Sequence, residues 1–332
     1  MTRGAWLKPR LSDWASRDAI VPGGFAAYAR IFHPGVRYWW DGPANRPGST
    51  RLEDTAITWA QVAALTGTTA HPWMQWGAIA RWQTHEGDLN DGTSADPPED
   101  GRLPRDVLEP LLPLLTAATT TPDDITAAVW EGWGALHSVV QFGWFDQPGS
   151  TGSRTLTGAD LGVAEPVTHA LDDGRLLQLP SRNYLLFEGA LSDLTDPGWA
   201  ATAGLGHGMG EEGVAGPQLL WPTDHAWCLA TEIDCGFTLL AGSTALIQHA
   251  LAQEGIEVAV LDHDGDLSWD GDTLNPRYTT ADPRVRSVGQ MLEAVAPGKR
   301  TLRRCTTRPP RSLEPAAPQA STAIAVITGA LR

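Results

Sequence analysis

The residues whose types and spacing could do chemistry are acidic and aromatic. In DHAWCLATEIDC, Asp224, Trp227, Glu232 and Asp234 punctuate an apolar run. If 226–233 is a strand, Glu232 and Asp234 share a face about 7 Å apart. Two such carboxylates can bind a divalent ion, act as an acid/base pair or clamp a cationic ligand. They can equally sit on a solvated strand end beside a turn, or pair with arginines. In VWEGWG, Glu131 lies between Trp130 and Trp133 with flexible glycines around it. A buried acid there needs an arginine partner or has its pKa raised by desolvation, and both are features of sites. The same pattern fits a strand end whose tryptophans cap the core. Asp262, Asp264 and Asp266 place oxygens at alternate positions, as a calcium loop does. However, Gly265 stands fourth rather than sixth and no glutamate stands twelfth. An Asp-Gly turn between strands explains the run as well.

Other signatures are missing. The glycines around His207 (204, 206, 208, 210) follow no clear strand and include no GK[ST], so a flexible loop explains them better than a phosphate cradle. No HxH, HExxH or GxSxG occurs, so zinc and serine hydrolysis are unsupported. The three cysteines, Cys228, Cys235 and Cys305, contain no CxxC pair and read first as structural thiols. No cofactor is implied.

These residues need elements to position them. A strand is predicted over 25–33. A short helix follows Thr58 as N-cap and stops at Gly67, and a helix over 104–118 is interrupted by Pro110 and Pro113. Residues 87–100 read as a loop. Thr121 and Pro122 resemble a helix start, but 125–130 is favoured as a strand. A second loop runs over 147–164, and 183–188 is a strand. The stretch from 226 parses as strand (226–233), turn, strand (237–241), a helix capped by Ser243, a stop at Gly255, and strand (256–261).

The composition, 42% hydrophobic and 19% charged over 332 residues, is that of a globular protein. The net charge of −15 is uneven: 297–332 carries seven basic side chains against Glu314, so the remainder is more acidic still. Such a body repels phosphates, which argues against nucleic-acid binding. Apolar runs fall short of the roughly 20 residues that cross a bilayer. The first residues lack a signal-peptide core, making the cytoplasm the default location. Fifteen tryptophans are the most unusual feature, and tryptophan serves cores and ligand platforms alike.

VWEGWG, LPSRNYLLFEGAL and above all LWPTDHAWCLATEIDCGFTLLAGSTALI resemble motifs of an uncharacterised protein family of actinobacterial type. The resemblance covers most of 20–275, is specific in its later half, and implies a shared fold without an established activity. The expected architecture is α+β, a mainly antiparallel sheet with flanking helices, divisible into two subdomains: 1–150, Trp-rich; 151–296, strand-rich; and 297–332, a basic disordered tail. The expected function is a module binding a small molecule or protein through Trp130, Trp133, Trp221 and Trp227, with Glu131, Asp224, Glu232 and Asp234 as polar anchors. The alternative is an enzyme using those carboxylates.

Overall fold

A computed structural model describes residues 3–12, 16–42, 49–81, 87–137, 140–147, 150–156, 160–206, 216–262, 265–275 and 324–325. In chain order the elements are α1 (Arg17–Ile20), β1 (Ala27–Phe32), β2 (Gly35–Trp40), β3 (Arg51–Ile57), α2 (Trp59–Thr66), α3 (Trp76–Ile79), β4 (Gly87–Asp88) and β5 (Ser94–Asp96). There follow α4 (Arg105–Ala117), β6 (Ile125–Trp130), β7 (Val140–Gln147), β8 (Ser150–Leu156), α5 (Glu165–Asp172), β9 (Leu177–Gln178), β10 (Asn183–Gly189) and α6 (Trp199–Thr202). The last are β11 (Leu219–Pro222), β12 (Cys228–Thr231), β13 (Phe237–Gly242), α7 (Thr244–Leu251), β14 (Glu257–Val260) and β15 (Ile324–Ala325). The fold is α+β with mainly antiparallel pairing, as expected; no described helix is long and apolar enough to cross a membrane.

The chain forms two compact units. The first comprises residues 1–9, 119–225 and 309–332; the second comprises 10–118 and 226–308. Residues 147–165, the expected internal boundary, lie within the first unit. Most of the basic tail falls outside the described residues.

In the second unit four antiparallel strands run in the order β14-β1-β13-β12. A smaller sheet runs β3-β2-β5-β4. Phe32, Ile57, Trp59, Val62, Met74, Trp76 and Ile79 bury together in one core. Helix α2 begins as read: Gln61 N donates to Thr58 Oγ1 (3.2 Å) and Thr58 N to Gln61 Oε1 (2.9 Å), a reciprocal cap. Gly67 ends it at φ 70°. Replacing Thr58 with alanine is expected to cost about 1 kcal/mol in chemical denaturation. Helix α4 is not interrupted by Pro110 and Pro113. The prolines are partly or fully exposed, and each removes a bond to Asp106 or Glu109, both of which face water; Leu108, Leu111, Leu112 and Leu115 stay buried and hold the helix.

In the first unit β11-β6-β10-β9 are antiparallel. Val129, Val163, Val167, Leu185 and Leu205 form its core. Thr121 and Pro122 start a turn, not a helix, because 125–129 is a fully buried strand. Two expected loops contain strands: β4 and β5 within 87–100, and the β7/β8 hairpin across 147–164. Their polar, Gly-rich sequences hide cross-strand pairing that supplies the hydrogen bonds without an apolar period.

Candidate functional site

Glu131 follows the last residue of β6. Its N–H donates to Asn183 O (3.1 Å), and its Oε1 accepts from Asn183 Nδ2 (2.7 Å). The half-buried acid thus takes an amide partner, neither of the two alternatives that a buried acid there would require. Trp130 and Trp133 meet edge to face at 5.9 Å, and Arg182 lies over the Trp130 ring at 5.5 Å. Trp130 N is held by the buried Gln218 Oε1 (2.8 Å). Gly132 is required, since a Cβ there would lie 2.0 Å from the Trp130 ring. Trp130, Glu131 and Trp133 thus lie together at the end of β6.

Trp221 and Asp224 do not join them. Strand register places Trp221 opposite Thr126, at the far end of β6 from Trp130. Four strand residues separate the two levels by about 14 Å. Trp221 is buried and lies edge-on to Trp6, which stacks on His225 at 4.2 Å. Asp224 accepts from Thr119 Oγ1 (2.8 Å), Thr120 N (2.7 Å) and Thr120 Oγ1 (2.8 Å), clamping its loop.

The remaining candidates belong to the second unit. Trp227 is wholly buried and donates from Nε1 to Leu115 O (2.9 Å), so no face is left for a ligand. Strand β12 ends at Thr231, and Cys235 N turns back to Glu232 O (3.1 Å). The strand alternation expected to align Glu232 and Asp234 therefore does not reach them; both sit in the turn. Beside it, the chain crowds Asp100: burial, then the charges of Asp234 and Glu99, push its carboxyl up to about 6. Gly101 makes this approach possible, its N–H donating to Cys235 O at φ 76°. Of the aspartate run, Asp262 is exposed, Asp264 lies outside the described residues, and Asp266 Oδ1 accepts from Ser268 N (2.7 Å). Among the described residues no three His, Cys, Asp or Glu side chains are grouped to hold a metal.

Three features of the second unit were not anticipated. Asp272, almost wholly buried, joins His71 and Asn275 in a hydrogen-bonded hub. Arg30 and His33, from β1 and just beyond it, are fully buried. Burial brings the Arg30 guanidinium down to about 9; burial and then Arg30 bring His33 down to about 3. A basic side chain in an alternating strand reads as solvent-facing, so nothing in 25–33 betrays this.

The third is a cleft of about 430 Å³ lined by Arg17, Asp18, Phe25, Tyr28, Leu261 and Asp262, among others. Arg17 Nη2 pairs with Asp18 Oδ1 (2.8 Å), and its guanidinium covers the Tyr28 ring at 3.5 Å. The Tyr28 hydroxyl accepts from Phe25 N (2.9 Å) and donates to Pro22 O (3.3 Å), fixing the ring as a rigid wall. With Arg17 matched by Asp18, Asp262 gives the lining an excess of negative charge. No family model, curated protein or solved structure matches the chain.

Proposed function

We propose that this chain is a binding protein whose seat is the Arg17–Tyr28–Asp262 cleft, taking a small molecule with a cationic group and an apolar or aromatic part. The supporting observation is the cleft itself, where aromatic and aliphatic walls meet a few fixed polar groups. Asp262 would receive the cation and Phe25 would pack on the apolar part. Binding raises native stability by about 2.7 kcal/mol at one hundred times Kd. A thermal-shift panel of aromatic amines, carboxylates, nucleotides and sugars is expected to raise Tm with the amines. The shift should be lost in Asp262→Asn and weakened in Phe25→Ala; an amine shift that survives both substitutions rejects this seat.

A second reading, an enzyme using paired carboxylates, is favoured by Asp100 beside Asp234. One carboxyl held near 6 with a second carboxyl near it suits proton transfer near neutral pH. The family resemblance, a cytoplasmic setting with the thiols of Cys228 and Cys235 kept reduced, and a protein as alternative partner belong to the same proposal.

A further inference from the structure

Strand β14 has β1 on one side and, among the described residues, no strand on the other. Register decides which of its backbone groups are already used. Leu261 N donates to Tyr28 O (3.0 Å), which makes Tyr28 and Leu261 a hydrogen-bonded pair. Such pairs alternate along an antiparallel ladder. Ala259 opposite Arg30 and Glu257 opposite Phe32 therefore turn their N–H and C=O groups to β1. Val258 and Val260, opposite Ile31 and Ala29, turn theirs outward, where they meet no backbone partner among the described residues.

The smaller sheet of this unit guards its edges against a further strand. There β4 is two residues long, and β3 carries Arg51, Glu53 and Asp54. Strand β14 has no such guard: residues 254–262 contain no lysine, arginine or proline. The Glu257 carboxylate is held within the unit, accepting from Trp59 N (2.7 Å) and Ala60 N (2.9 Å). Val260 is 43% exposed. The edge also runs into the cleft, which Val260, Leu261 and Asp262 line. An added strand that passes Val260 comes level with Asp262 two residues later, after about 7 Å. Charge selects the occupant. A second copy would set a net charge of −15 against itself, whereas a basic segment is attracted.

We propose that the outer edge of β14 takes up an extended segment of a basic partner protein as an added strand, with an arginine or lysine side chain of that segment seated on Asp262. Bonds to the Val258 and Val260 backbone supply affinity, and the cleft supplies side-chain selection. The inference rests on the cleft as a seat for cations and names a peptide, rather than a free amine, as the carrier of the charge.

The test is titration calorimetry of the full chain with an acetylated, amidated hexapeptide of alternating valine and threonine ending in arginine and phenylalanine. Amide hydrogen exchange, resolved residue by residue over 256–262, accompanies it. The Val258 and Val260 amides are expected to exchange freely in the protein alone and to slow by about tenfold or more with peptide bound. Of two peptides methylated on alternate backbone nitrogens, the one whose methyls face β14 should bind about tenfold or more weakly. Val258→Pro should do the same, since it removes an outward N–H and spares both the β1 ladder and the cleft; its thermal shift with amines should persist. Asp262→Asn, or glutamate for arginine in the peptide, should also weaken binding. If Val258→Pro does not fold, the methylated peptides on the parent protein decide. Absence of binding, unprotected Val258 and Val260 amides in the complex, or two methylated peptides bound as tightly as the unmethylated one overturn the proposal and leave the amine cleft standing. Failure of the cleft itself shows separately, as an amine shift that survives Asp262→Asn. Edge amides already protected in the protein alone also overturn the proposal, because the edge is then taken by a second copy or by the chain itself.

Discussion

Trp227→Ala is expected to destabilise the second unit by about 3–5 kcal/mol in urea denaturation. The indole is wholly buried, so its removal forfeits apolar burial and leaves a cavity. It also frees Leu115 O, near the C-terminus of α4, where carbonyls lack onward helical donors. The other bond to that oxygen is a long one from Ala118 N, at 3.3 Å. Trp227→Phe separates the two contributions: most of the burial remains and the indole hydrogen bond goes, so about 1–2 kcal/mol is expected. A Trp227→Ala loss below about 1 kcal/mol would mean that the side chain is not packed as described.

Asp272→Ala should be comparably damaging, by about 3–5 kcal/mol, because it strips a buried hub of its acceptor. Asp272 Oδ1 accepts from His71 Nε2 (2.9 Å), Asn275 N (2.9 Å) and Leu274 N (3.2 Å). Oδ2 accepts from Asn275 Nδ2 (2.9 Å) and Gln75 N (3.2 Å). Asp272→Asn keeps one carbonyl oxygen and should cost less. Burial alone would raise this carboxyl, but hydrogen bonds from Asn275, Gln75 and His71 outweigh it and hold it below the usual carboxylate range. Its stabilisation is therefore complete above the unfolded value near 3.9 and is lost as pH falls through the lower folded value. His33 acts in a higher window. It stays neutral in the fold down to about 3, so stability present above its unfolded value near 6.5 declines between 6.5 and 3. Acid titration of stability should thus show a decline in both the parent and Asp272→Asn between pH 6.5 and 4, and an extra loss in the parent alone below about 4. Parallel curves below pH 4 would remove Asp272 from the account.

Local signals read well. Thr58 and Gly67 bracket α2, Ser243 caps α7 through Leu246 N, and 237–241 is a strand. Each depends on neighbours within a few residues, where caps and alternation speak directly. The Glu131 motif was legible for the same reason, its tryptophans lying one and two positions away. Glu232 and Asp234 misled because apolar alternation carries on past Thr231 although the ladder does not. The His71–Asp272 pair was beyond reach, since its members stand 201 residues apart. Nothing beside Asp272 in the sequence marks it, and only the fold reveals it as the acceptor that ties 69–75 to 272–275.

The interleaved chain path has a consequence for biosynthesis. Strand β1 pairs on both sides with strands encoded far downstream; His33 meets Thr238 across 205 residues. As the nascent polypeptide leaves the ribosome, Ile31 and Phe32 wait without their sheet neighbours while the whole intervening stretch 119–225 is translated. Closing so long a separation is slow, and apolar side chains exposed in the interim attract chaperones or one another. The first unit has its central segment in one piece and can condense earlier, leaving the second to mature only after translation has passed β14.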